Sequence, residues 1–138
     1  MEEKLPNNLS MEEITFLYQF LCEYETSLKS QKTGWRITDN DVKKFFKENN
    51  IKFEYNPVSK NYSVSDKNVI TFKGSQNTIF DFFRHLRNAI AHAKLRREAD
   101  YYYFEDNNNG KLSASGIIAA DLLQPLLSVL KSSKKQKK

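Results

Sequence analysis

Cysteine is nearly missing from this sequence of 138 residues: Cys22 is its only thiol. One cysteine cannot close an internal disulfide or supply a zinc ribbon, and it fits a reducing compartment, so a cytoplasmic location is expected. Cys22 itself reads as a small apolar filler on a helix. No stretch reaches the roughly 18 apolar residues that a membrane-spanning helix needs, so no membrane partner is expected. The start, Met1-Glu-Glu-Lys4, is acidic and lacks an apolar segment, so it does not read as a secretory signal. There is no internal repeat, no domain linker, no phosphate-cradling glycine-rich loop and no legible Ser–His–Asp arrangement.

Aromatic residues, by contrast, are plentiful, with ten phenylalanines and seven tyrosines. That is enough for a core of real size, and the length suits one compact domain. The net charge of +5 suggests a polyanion partner, but its distribution matters more. Lys131, Lys134, Lys135, Lys137 and Lys138 crowd the last eight residues, and without them the remaining 17 basic residues balance 17 acidic ones. The expectation is a flexible N-terminus over 1–9, one domain over 10–131 and a disordered basic tail over 132–138. Such a tail could grip RNA without sequence preference, or remain a solvated terminus.

Ser10-Met-Glu-Glu13 is a capping box and opens a first helix with Ile14, Leu17, Leu21 and Leu28 on its apolar face, ending near Gly34. Thr38-Asp-Asn-Asp41 opens a short second helix that buries Val42, Phe45 and Phe46 and closes at Asn49-Asn50. Ile51, Phe53 and Tyr55 alternate with Lys52 and Glu54 as in a strand. Tyr62 and Val64, then Val69 and Thr71, suggest a small hairpin. The strongest pattern runs from Thr78 to about Arg97, a third helix with Ile79, Phe82, Phe83, Leu86, Ile90 and Ala93 on its apolar face. Tyr101 to Phe104 is β-prone, with Tyr101 and Tyr103 on one face and Tyr102 and Phe104 on the other. Asp106-Asn-Asn-Asn-Gly110 reads as a turn, with Lys111 to Ser113 returning as partner strand. Ser115 to Lys131 reads as a fourth helix kinked at Pro125. The expected fold class is mainly α, a bundle of about four helices with small β-hairpin insertions.

The third helix carries the chemistry. Asp81, His85, Asn88 and His92 share a stripe opposite its apolar face, with Arg84 beside them. Arg87 sits about 140° around from His92 on an ideal helix, so one isolated helix cannot aim both at one atom. A second helix or a second subunit would have to complete such a site. His85 and His92 lie about 10.5 Å apart along the axis, too far to share one ion. No metal site and no cofactor are therefore expected.

Arg87-Asn88-Ala-Ile-Ala-His92 resembles the arginine–polar–x–x–x–histidine signature of the HEPN superfamily, and its surroundings resemble small bacterial single-domain members. The resemblance implies a HEPN-like domain over 10–131 and a homodimer through the motif helix, where two motif copies converge. It also implies RNA as substrate and, since such proteins serve in toxin–antitoxin, phage-defence or RNA-processing systems, an antitoxin among the conceivable partners. The residues suit metal-independent RNA cleavage, because RNA carries its own 2′-hydroxyl nucleophile. Histidine titrates near neutrality, so His92 can serve as base or acid. Arg87 offers a permanent charge and a planar fork to the phosphorane, and Asn88 can orient a phosphate oxygen, a water or His92. Arg84, His85, Lys94, Arg96 and Arg97 would hold RNA phosphates, or simply form a solvated helix end where cations are favoured. One subgroup carries a modifiable tyrosine two residues after the histidine. Here that position is Lys94, so control by such modification is not expected. The alternatives are a non-catalytic HEPN module that binds RNA or nucleotides or only dimerises, and an interaction bundle in which Arg87 and His92 are structural.

Overall fold

The computed structural model of the protein describes residues 6–55, 68–73 and 77–133. Four α-helices, α1 (Met11–Thr26), α2 (Asn40–Asn49), α3 (Thr78–Ala91) and α4 (Ala120–Ser132), accompany five strands. The strands are β1 (Lys52–Tyr55), β2 (Val69–Phe72), β3 (Leu95–Glu98), β4 (Tyr101–Asn108) and β5 (Lys111–Ala119). They form one sheet in the order β1-β2-β5-β4-β3, with β1 and β2 parallel and the other neighbours antiparallel. This corrects the expected fold class: the protein is not a mainly α bundle with hairpin insertions but a mixed α/β domain.

Residues 115–119 differ most from the sequence expectation. They form the end of central strand β5 rather than the start of a fourth helix. Ala114 to Ile118 are all buried, so the strand is covered on both faces and presents a continuous apolar run. Such a run cannot be told from a buried helix by periodicity. Ile117 and Ile118, stiff at χ1, favour the strand. Gly116 is required there, because a Cβ at this position would lie 2.8 Å from both Ile70 Cγ1 and Phe104 Cε1.

The first helix also stops early, at Thr26, and a 3-10 turn follows over Leu28–Ser30. Serine and threonine side chains compete for the backbone here: Thr26 Oγ1 donates to Cys22 O and Ser30 Oγ to Ser27 O. The turn buries Leu28 and lets Trp35 pack edge-on against Phe83, at a centroid distance of 5.3 Å. The capping box at Ser10 forms as the sequence indicates, with Ser10 Oγ accepting from Glu13 N. Tyr62, Val64, residues 1–5 and residues 134–138 of the expected tail lie outside the described residues. Lys131, counted with that tail, belongs to the last turn of α4 and pairs with Glu23 at 2.8 Å.

The core joins the helices to one face of the sheet. Ile70, Phe72, Phe104, Ala114 and Ile118 share that face, and α3 lies across it. Phe82 of α3 stands 4.9 Å from the Phe53 ring and 6.4 Å from Phe104. Phe83 meets Phe20 of α1 at 5.9 Å. Burying each such ring stabilises the fold by up to about 3 kcal/mol. Among the described residues no helix is long and apolar enough to cross a membrane.

Candidate active site

α3 begins at Asn77, whose Oδ1 accepts from Ile79 N and Phe80 N. It ends at Ala91, six residues before the sequence suggested, and the reason is a helix-stop motif. Lys94 N donates to Ala89 O at 2.7 Å and Ala93 N to Ile90 O at 3.1 Å, the paired bonds of a Schellman stop. Ala93 takes the left-handed backbone that this stop demands, at φ 56°. Asn7, in a 3-10 turn at Pro6–Asn8, braces the stop by donating to Ala93 O and Leu95 O. The chain then reverses into β3, so Arg96 and Arg97 stand on an edge strand, not on a helix end.

The polar stripe of α3, opposite its apolar face, is itself largely buried. Asp81 and His85 are buried, Asn88 is half-buried and His92, the C-cap, is exposed. The stripe turns toward β4, whose alternation carries Tyr102, Phe104 and Asp106 onto the helix side. Asp106 is thereby buried at 4% exposure and meets His85 and Asn88. Its Oδ2 accepts from His85 Nδ1 at 2.8 Å and from Asn88 Nδ2 at 3.0 Å. His85 Nε2 lies 2.7 Å from Lys73 O. Burial by itself would push the Asp106 carboxyl up, but these bonds and the His85 charge outweigh it and hold the carboxyl below the usual range.

The chain of bonds continues through the motif. Asn88 Oδ1 accepts from Arg87 Nη1 at 3.0 Å, and Arg87 Nε donates to Glu25 Oε1 of α1 at 2.7 Å. Glu25 also accepts from Lys29, and the two cations together hold its carboxyl below the usual range. One hydrogen-bonded line thus runs from Glu25 on α1, through Arg87 and Asn88 on α3, to Asp106 on β4 and His85. No buried side-chain polar atom among the described residues lacks a partner.

Beside this line lies a cleft of about 420 Å³, lined by Lys73, Arg84, His85, Asn88, His92, Asp106, Asn107, Asn108 and Ser113. Of the sequence-derived site residues, Arg84, His85, Asn88 and His92 come together here. Arg84 Nη2 lies 3.3 Å from Asp81 Oδ1 and 3.4 Å from His85 Nε2. Arg87 is outside the cleft wall but bonded to a residue within it. Lys94, Arg96 and Arg97 do not line it. Arg96 pairs with Glu98 and covers the Tyr103 ring at 5.0 Å. Arg97 binds Glu13 at 2.6 Å, and Tyr102 donates to the same carboxylate oxygen.

Asp106, Lys73 and Glu25 were not legible as site residues. Asp106 sits where the sequence reads as a turn, and only carrying the Tyr102–Phe104 alternation two residues further would have placed it on the helix side. The cleft wall is mostly hydrogen-bonding groups, with Lys73 and Arg84 as cations and His92 accessible at the mouth, an arrangement suited to a phosphodiester.

Comparison with curated proteins and with solved structures gives no match. A family model described as HEPN pEK499 p136 matches residues 6–137, almost the whole chain and the complete motif helix. With Arg87 and Asn88 on α3 and His92 at its C-cap, the chain belongs to this HEPN family.

Proposed function

We propose that the protein is a metal-independent endoribonuclease and acts as a toxin or phage-defence effector. Membership of the HEPN family favours a nuclease or nucleotide-binding role. The observation that carries the finer reading is the cleft that joins Asn88 and His92 to Arg84, Lys73 and the His85–Asp106 pair. RNA seated there would present its scissile phosphate to the end of α3. One histidine takes the proton from the 2′-hydroxyl as its oxygen bonds to phosphorus. The P–O5′ bond breaks, and the departing 5′-oxygen takes a proton from the histidine of the second motif copy, leaving a 2′,3′-cyclic phosphate and a 5′-hydroxyl. Arginine charge stabilises the phosphorane. Arg87 and His92 project from different sides of α3, so a homodimer through this helix would supply the missing partner groups, with two motif copies at one two-fold axis.

One observation favours a second reading, an RNA- or nucleotide-binding module without catalysis. Arg87 is already engaged by Glu25 and stands outside the cleft wall. The two readings separate in one assay. End-labelled single-stranded RNA is incubated in excess EDTA with wild type, Arg87→Ala and His92→Ala. Ribonuclease function predicts cyclic-phosphate ends from wild type and a loss of about 10²- to 10⁴-fold for His92→Ala. Equal cleavage by all three would place the activity elsewhere, and tight RNA binding without cleavage would leave the binding module. A toxin role further predicts that induced wild type, but not His92→Ala, arrests growth of the expressing cell.

A further inference from the structure

The signature residues of α3 do not hold themselves in place. Asn88 bridges two groups of opposite demand: the Asp106 carboxylate only accepts and the Arg87 guanidinium only donates. Its amide satisfies both in one orientation, with Nδ2 toward Asp106 at 3.0 Å and Oδ1 toward Arg87 at 3.0 Å. A flipped amide would set oxygen against carboxylate and NH₂ against guanidinium. The negative charge on Asp106 therefore decides which way Asn88 points, and Asn88 decides where one end of the Arg87 fork lies. Glu25 fixes only the other end, at Nε.

His85 completes the device. Its two ring nitrogens face oxygens that carry no hydrogen, Asp106 Oδ2 at 2.8 Å and Lys73 O at 2.7 Å. Arg84 Nη2 also lies 3.4 Å from Nε2, and the ring is held between Asp106 and Lys73. A carboxylate at 4% exposure and a ring at 2% form a paired, mutually compensating unit. Both nitrogens of His85 are occupied, so this ring is not free to shuttle a substrate proton.

We propose that Asp106 and His85 are positioning residues for the HEPN signature: Asp106, kept in place by His85, sets the Asn88 amide and through it aims the Arg87 guanidinium. The kinetic consequence rests on the ribonuclease reading; the geometric one does not. Misplacing a catalytic group by about 1 Å can cost on the order of 10²-fold in rate. Asp106→Ala should lower kcat by about 10- to 100-fold while KM stays within about twofold, because no RNA-binding cation is removed. Asp106→Asn keeps an oxygen that can accept from Asn88 and should fall between Asp106→Ala and wild type.

The test joins those kinetics to ¹⁵N-resolved side-chain NMR of the full chain without RNA. The Asn88 amide is assigned by its loss in Asn88→Ala, and the Arg87 Nη1–H, the end bonded to Asn88, by its loss in Arg87→Lys. In Asp106→Ala both resonances should move toward the positions and exchange rates of free side chains. Should Asp106→Ala not fold, Asp106→Ser, too short to reach both partners, carries the same comparison. Unchanged Asn88 and Arg87 resonances would overturn the proposal. So would shifted resonances with a wild-type kcat, which would make the contact structural only. If wild type cleaves no RNA, the ribonuclease reading fails alone, and the resonances still decide whether Asp106 aims Arg87.

Discussion

Ala93 shows how much one residue contributes to the site. At φ 56° it occupies backbone that its Cβ disfavours, yet the turn there ends α3 and leaves His92 exposed at the mouth of the cleft. Glycine would adopt the same angle without strain, so Ala93→Gly should stabilise the protein by about 0.5–1 kcal/mol. A thermal melt should show the midpoint rising by about 2–4 °C. An unchanged or lower midpoint would mean that the turn stores no strain at Ala93. Glu13 is the other residue with several duties. Its Oε1 accepts from Ser10 N in the capping box, while Oε2 accepts from Arg97 and Tyr102, tying the start of α1 to β3 and β4.

Among the elements, β5 bears the tightest constraint, since β2 and β4 flank it and Gly116 sits between Ile70 and Phe104. Gly116→Ala forces a methyl against two buried side chains and should cost roughly 1–3 kcal/mol. Urea unfolding should show the midpoint falling with the slope unchanged; an unshifted midpoint would mean the neighbours give way freely. The same strand marks where sequence reading runs out. Its two-sided burial erases the alternation that betrays β4, so Ser115–Ala119 reads as helix. α3 was legible from its periodicity, but its end was not, because Ala93 is not the glycine that usually announces a stop. The site divides along the same line. Asn88, His92, His85 and Arg84 were legible because one helix carries them at fixed spacing. Asp106, Glu25 and Lys73 come from other elements, and only tertiary packing brings them to α3.

For the whole molecule, three carboxyls are depressed, and with Glu25 partly exposed and screened by solvent, Glu13 and Asp106 lead the response to acid. Burial pushes the Glu13 carboxyl up, but bonds from Tyr102, Ser10 N and Arg97 outweigh it and bring it down from 4.5 to about 2. Asp106 is shifted in the same direction. A folded-state value below the unfolded one adds stability above the unfolded value, and that stability is lost as pH falls through the folded value. The protein should therefore hold its urea midpoint down to about pH 4.5 and lose it progressively toward pH 2. Glu13→Gln should start lower and decline less over that range; a parallel decline would mean that Glu13 does not govern it.

The sheet joins two kinds of neighbour. β3, β4 and β5 follow one another along the chain as a meander, closed by the left-handed residues Asn109 and Gly110. β1 and β2 are parallel and only four residues each, and β1 pairs with β2 while β2 pairs with β5 of the meander. Contacts close in sequence form early and long-range pairings form late. The domain should therefore open from its β1 side while the hairpin and α3 stay closed. In native-state hydrogen exchange, amides in β1 and β2 should release their protons well before those of Phe104 or Ile118. A partly opened molecule would then keep its Asp106–Asn88–Arg87 line, but Lys73, which directly follows β2, would draw away from His85, so the breathing of that edge would loosen one wall of the cleft.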